Sequence, residues 1–397
     1  MSRATGRHFL QIPGPTNTPL AVLAAIAQPT IDHRGPEFRA LALEILAGLA
    51  EIIGTREPVV LYPASGTGAW EAALVNTLSP GDVVLMAETG HFALLWRNLA
   101  RRLGLEVEII PGDWRRGAVA AEVEARLAGD RGGRIKAVAI VHNETSTGAV
   151  SDVAAVRRAL DATGHGALLL VDVISSLGSI DYRHDQWGVD VTVGCSQKGL
   201  MLPPGLSFNA VSRKARAAAG GARLPRAYWD WEDMIAANEG GRFPYTPSTN
   251  LLQGLKVALA MLRDEGLPAV FARHDRAAEA TRRCVRRWGL GVWCEEPADY
   301  SSVLTAVLMP EGHSADALRE AVLRGANLSL GAGLGRLADR VFRIGHLGDF
   351  NDASVLGALA AIETALLASG APVRAGGVGE AIASFAGPAG GARFAAE

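Results

Sequence analysis

Cysteine is scarce in this chain: three residues, Cys195, Cys284 and Cys294, among 397. Their spacing matches no metal-ligand pattern, and an odd, sparse count argues against a disulfide framework and for a reducing compartment. All three read as packing residues, since free cysteine is usually buried. Charge of one sign is lacking too. The 39 basic and 41 acidic residues leave a formal charge of -2, so no strong field recruits nucleic acid or a membrane surface. No apolar run reaches the ~20 residues of a membrane span; the most apolar helix near the end is interrupted by Glu363. Met1 to Phe9 has no apolar core of the kind a secretory signal needs, so a cytoplasmic protein is expected. The nine histidines include no H-x-x-x-H pair, which argues against a catalytic metal, and no Walker lysine motif occurs.

What is present is an apolar content of 49%, enough for one large domain and a smaller one. Phe38, Leu41, Ile45, Leu46, Leu49, Ile52 and Ile53 recur at helical spacing behind Pro36, which predicts an amphipathic helix. After it, short β-type runs alternate with helical ones: Val59 to Tyr62, Val83 to Met86, Val107 to Ile110, Ala137 to Val141, Leu168 to Val171, Val191 to Val193 and Leu206 to Val211. That rhythm predicts an α/β fold, a mainly parallel sheet covered by helices on both faces. Beyond about Leu267 a long Arg-rich helix and two strands, Val303 to Met309 and Val341 to Ile344, read as a separate α+β unit. Gly331-Ala332-Gly333-Leu334-Gly335 lacks dinucleotide-loop spacing and reads as a flexible loop, and the stretch from Gly370 as weakly ordered or laid over the surface.

In open α/β sheets ligands collect at the carboxyl ends of strands, and three places qualify. Ser65-Gly66-Thr67-Gly68 follows the first run and opens a helix, offering free N–H groups and hydroxyls to a phosphate; a capped Gly-rich turn is the bland reading. Asp172 ends an apolar strand, where a carboxylate demands a cationic or hydrogen-bonding partner; a structural salt bridge competes with a protonated pyridine nitrogen. Lys198 follows the run Val191 to Val193 and is either a surface lysine or a nucleophilic amine. One ligand unites all three: phosphate for the cradle, ring nitrogen for the carboxylate, aldehyde for the amine, which is pyridoxal 5'-phosphate.

With these residues in place, the chain resembles the class V, fold type I aminotransferases, specifically the serine/alanine:glyoxylate aminotransferase group. The resemblance runs nearly end to end, through Pro13-Gly14-Pro15-Thr16-Asn17, the Ser65 turn, Asn143-Glu144-Thr145-Ser146-Thr147-Gly148, Val171-Asp172, Ser175-Ser176-Leu177-Gly178, Ser196-Gln197-Lys198, Pro203-Pro204-Gly205, Tyr245-Thr246-Pro247 and Phe342-Arg343-Ile344-Gly345. It implies a large domain with a mainly parallel seven-stranded sheet between helices and a smaller C-terminal α+β domain, divided as an arm over 1–20, a cofactor-binding domain over 21–266 and a small domain over 267–397. It also implies a homodimer with shared active sites. By that resemblance Lys198 carries the cofactor as a Schiff base and moves protons, and Asp172 meets the ring nitrogen. Ser65, Gly66, Thr67 and Gln197 hold the phosphate, with Thr246 reaching in from the other subunit. Thr145 bonds near the ring hydroxyl, Phe92 and Ile174 flank the ring, and Arg343 clamps the substrate carboxylate. The implied reaction passes the amino group of a small amino acid, serine favoured and alanine or aspartate as alternatives, to glyoxylate by ping-pong kinetics; a cysteine desulfurase or lyase is the more distant alternative. The family often has tryptophan at Phe92 and tyrosine at Phe243. The missing hydroxyl at Phe243 implies either weaker cofactor binding or compensation by Tyr245. The intact Ser-Gly-Thr turn argues against the family's pyridoxamine-specific branch.

Overall fold

The computed structural model describes residues 6–387. Seven strands form one sheet in the order Val59–Tyr62, Ser207–Val211, Val191–Cys195, Leu168–Asp172, Ile135–Val141, Val83–Ala87 and Glu106–Ile110. All neighbours are parallel except Ser207–Val211, which runs antiparallel to both of its partners. Each of the seven apolar runs seen in the sequence forms one of these strands. The central strands are apolar on both faces because helices cover both, so Leu168–Asp172 and Val191–Cys195 are buried at every position.

The helix Pro36–Ile53 buries Phe38, Leu41, Ile45, Leu49, Ile52 and Ile53 against one face of the sheet, as its spacing predicts. Fully burying each such side chain is worth about 1.5–3 kcal/mol. The opposite face is covered by Gly66–Thr77, His91–Arg102 and Trp231–Asn238.

A second, five-stranded sheet has the order Phe9–Gln11, Leu328–Ala332, Val341–Gly345, Leu304–Leu308, Gly291–Val292. Helices Leu267–Trp288, Ala315–Ala326 and Asp352–Ala368 share its core. Two expectations change here. Gly331 and Ala332 end a strand, and a Cβ at Gly333 would lie 2.0 Å from the Leu337 carbonyl oxygen, so this segment is packed rather than loose. Beyond Gly370 the chain forms the helix Gly377–Phe385, which buries Ala381 and Phe385 against Leu267–Trp288. The rest of that terminal stretch, residues 388–397, lies outside the described residues. Among the described residues, no helix is long and apolar enough to cross a membrane.

Candidate active site

Six strands of the large sheet run in one direction, and the segments that follow five of them close around a cavity of about 140 Å³. Ser65, Gly66, Thr67, Phe92, Thr145, Asp172, Ile174, Gln197 and Lys198 all line it. Residues scattered over more than a hundred positions thus meet because parallel strands direct every carboxyl end the same way.

The turn after Val59–Tyr62 presents the N-terminus of the helix Gly66–Thr77. Ser65 stands at its N-cap, yet its side chain caps no backbone N–H. Hydroxyls and free N–H groups at a helix N-terminus are what a phosphate binds. A Cβ at Gly66 would lie 2.3 Å from Ile174 Cδ1, so a side chain there would push Ile174 from its place in the cavity wall.

Asp172 closes its strand at 4% exposure. Its Oδ1 accepts the Ile174 N–H at 2.6 Å and its Oδ2 accepts the Trp70 indole N–H at 3.0 Å. Burial pushes its carboxyl up to about 7, against the pull of those two bonds. Lys198 Nζ donates to the Pro13 carbonyl at 2.8 Å. Burial draws the amine below the ordinary lysine range, and the nearby Arg343 guanidinium adds to that shift. A lysine so depressed is a better nucleophile near neutral pH.

Arg343 sits in the strand Val341–Gly345 of the smaller sheet and adjoins the cavity rather than lining it. Nε donates to the Ala332 carbonyl and Nη1 to the Thr145 carbonyl, both at 2.7 Å. Burial lowers it to about 10 while Glu144 opposes the shift, and among the described residues no carboxylate pairs with it directly. A buried guanidinium held by carbonyls alone retains its charge for an incoming anion. Thr246 is exposed and lies outside the cavity of its own chain. Tyr245 is outside as well; its hydroxyl donates to the Tyr228 carbonyl at 2.7 Å, so within one chain it does not replace the hydroxyl absent at Phe243. Trp229 to Glu232, an aromatic and acidic run, packs: Asp230 caps the helix Trp231–Asn238, and the buried Trp231 indole donates to the Tyr62 hydroxyl at 2.7 Å.

Sequence reasoning missed Trp70, Asn143 and Ser175 in the cavity wall. Trp70 lies four residues after Gly66, on the same helix face, and that spacing was the available signal. It also missed the role of Glu144. That fully buried carboxylate accepts the N–H groups of Phe92 and Ala93 at 3.3 and 3.1 Å and the Ser146 hydroxyl at 2.6 Å, fixing the helix His91–Arg102 and with it Phe92.

Two buried polar atoms of residues in the cavity wall, Gln197 Oε1 and Asn143 Oδ1, have no partner among the described residues. Unsatisfied buried groups of this kind mark the place of a polar ligand. Together with the open helix N-terminus, the buried acid and the depressed lysine, they fit a pyridoxal-phosphate-sized group with an anionic end.

Comparison with known proteins agrees. The chain is 46% identical to a serine–glyoxylate aminotransferase of Methylorubrum extorquens, with 97% of each chain covered. It is 44% identical to an L-aspartate–glyoxylate aminotransferase of Paracoccus denitrificans over 94% of each. The crystal structure of an alanine–glyoxylate aminotransferase from Nostoc superposes with a TM-score of 0.86 at 32% identity, covering 92% of this chain and 97% of that one. A family model for class-V aminotransferases matches residues 8–334, a span that takes in every cavity residue named above, and the chain is a member of that family, an aminotransferase of fold type I.

Proposed function

We propose that the protein transfers the amino group of a small L-amino acid, serine foremost, to glyoxylate, forming glycine and, from serine, hydroxypyruvate, with pyridoxal 5'-phosphate as cofactor. The observation that carries this reading is the meeting of Lys198, Asp172 and the open N-terminus of Gly66–Thr77 in one cavity. When bound, the cofactor supplies an aldehyde for the amine and a ring that accepts electrons. Ser65, Gly66, Thr67 and Gln197 would hold its phosphate, with Thr246 of the partner subunit, while Phe92 and Ile174 would flank the ring, Thr145 would bond its hydroxyl side, and Asp172 would keep its nitrogen protonated. Lys198 takes the proton from the substrate Cα and returns it, and Arg343 binds the substrate carboxylate. The reading includes a homodimer whose subunits share sites and a cytoplasmic location; exposed Leu20 and Leu23, at 71% and 42%, suit a face covered by a second copy. The chain divides into an arm over 1–20, a cofactor domain over 21–266 and a small domain over 267–397.

The serine–glyoxylate relative, at 46% identity against 44% for the aspartate–glyoxylate one, favours serine. A desulfurase needs an exposed thiol, but Cys195, Cys284 and Cys294 are all buried, and burial pushes the Cys195 thiol up to about 12. The test offers serine, alanine and aspartate in turn with glyoxylate and follows glycine. Serine as the fastest donor supports the reading, a faster aspartate or alanine replaces serine in it, and no glycine from any donor overturns it.

Two further outcomes are expected. Arg343→Lys keeps the charge but loses the fork, so the donor KM should rise roughly ten- to a hundredfold with a smaller change in kcat; an unchanged KM would remove Arg343 from substrate binding. Gly14 has φ +105°, and a Cβ there would lie 2.3 Å from Lys198 Cδ. Gly14→Ala should cost about 1–3 kcal/mol of stability, read as a lower Tm, and should slow attachment of added cofactor to Lys198.

A further inference from the structure

Asp172 has a partner that the proposed chemistry does not use. Trp70 is buried in the helix Gly66–Thr77 and also lines the cavity, and its indole N–H donates to Asp172 Oδ2 at 3.0 Å. The indole is itself fixed, stacked on buried Trp96 with centroids 5.7 Å apart and planes 10° from parallel. With the Ile174 N–H on Oδ1, both carboxylate oxygens are tied before any ligand arrives.

We propose that Trp70 is a positioning residue for the cofactor ring nitrogen, its indole N–H holding the Asp172 carboxylate in the one orientation that meets that nitrogen. The inference rests on the reading of Asp172 as the ring partner. Each carboxylate oxygen has a second lone pair, so it accepts from the ring while its protein donor stays bound. The bond also bears on charge. Burial alone would leave Asp172 largely protonated near neutral pH, and a protonated carboxyl cannot hold a positive ring nitrogen; an N–H donor favours the ionised form. The other groups acting on Asp172 are Glu144, which opposes ionisation, Lys198, which favours it, and the neutral thiol of Cys195. Mere packing does not account for the contact, because the neighbouring Trp96 packs in the same stack with no partner for its Nε1 among the described residues.

The experiment titrates the Asp172 carboxyl by carbon-13 NMR in the cofactor-free protein, the resonance being assigned from Asp172→Asn. Trp70 is replaced by Phe and, to keep the bicyclic shape, by benzothienylalanine, in which sulfur stands for N–H. Both should raise the proton affinity of Asp172 roughly tenfold, whereas Trp96→Phe should not. In both Trp70 variants the Kd for pyridoxal phosphate should then rise as pH falls through the new midpoint. An unmoved midpoint in the Trp70 variants, or an equal shift in Trp96→Phe, overturns the proposal. If the midpoint moves but Asp172→Asn binds pyridoxal phosphate as tightly as the parent at every pH, then Asp172 is not the ring partner, and the reading beneath the proposal is what has failed.

Discussion

Lys198→Ala is expected to abolish the visible absorption band of lysine-bound pyridoxal phosphate and to lower kcat by roughly four orders of magnitude or more. Two separate losses combine: the covalent attachment point, and the amine that moves the proton at Cα, a role worth about 10²–10⁴ by itself. Asp172, the other ionisable residue of the cavity wall, is committed to the ring nitrogen and does not replace the amine. Ser65, Thr67, Asn143, Thr145 and Ser175 carry no amine and no base of suitable strength, and the nearest thiol, Cys195, is held protonated by burial. Because the lysine amine bonds a single carbonyl among the described residues, its removal should leave the fold intact. Added methylamine, entering the space vacated, should restore part of the rate. A variant that keeps the band would remove Lys198, and every role derived from it, from the reaction.

The second large effect is expected at Asp172. Asp172→Asn preserves shape but cannot hold a positive ring nitrogen, so kcat should fall roughly a hundred- to a thousandfold while the donor KM changes little. A KM effect without a kcat effect would contradict the assignment. The same residue gives a measurement that needs no substrate. Its carboxyl lies at about 7 in the folded protein against 3.8 in an unfolded chain, so the folded state binds the proton more tightly. Stability of the cofactor-free protein therefore falls as pH rises from about 4 to about 7, the window in which the unfolded chain has released the proton and the folded one has not. Asp172→Asn removes that slope. Melting curves at pH 5 and pH 8 should show a larger loss of Tm in the parent than in the variant.

The cavity was legible where chemistry coincided with strand ends. Asp172 and Lys198 follow apolar runs directly, and parallel strands bring such positions together without further information. Trp70 and Glu144 were harder, because each acts through one hydrogen-bonding geometry that the linear sequence does not encode: an indole is ordinarily core, and an acid in a motif is ordinarily a ligand contact. In the fold, the strand Phe9–Gln11 had no local signal. It exists through pairing with Leu328–Ala332, more than 300 residues away. The helix Gly377–Phe385 is similar in origin. Its glycines oppose helix formation, and a Cβ at Gly377 would lie 2.4 Å from Trp288 Nε1, so tertiary packing, not propensity, forms it. Gly331 to Gly335 misled for the same reason, since glycine was needed there for close backbone approach rather than for freedom.

The segment from Phe9 to Thr16 joins the two sheets in an unequal way. It begins as a strand of the smaller sheet, with Gln11 bonded to the Gly345 carbonyl, and five residues later Thr16 is bonded to the carbonyls of Gln197 and Lys198. Between these anchors lies Pro13, whose carbonyl holds the lysine amine. The backbone of Lys198 thus belongs to one sheet and the resting place of its amine to the other. The carbonyl that docks the amine in the cofactor-free protein is thus placed by a strand of the smaller sheet, only two residues before it, so a substitution that loosens the pairing of Phe9–Gln11 is expected to free the Lys198 amine without touching the large sheet.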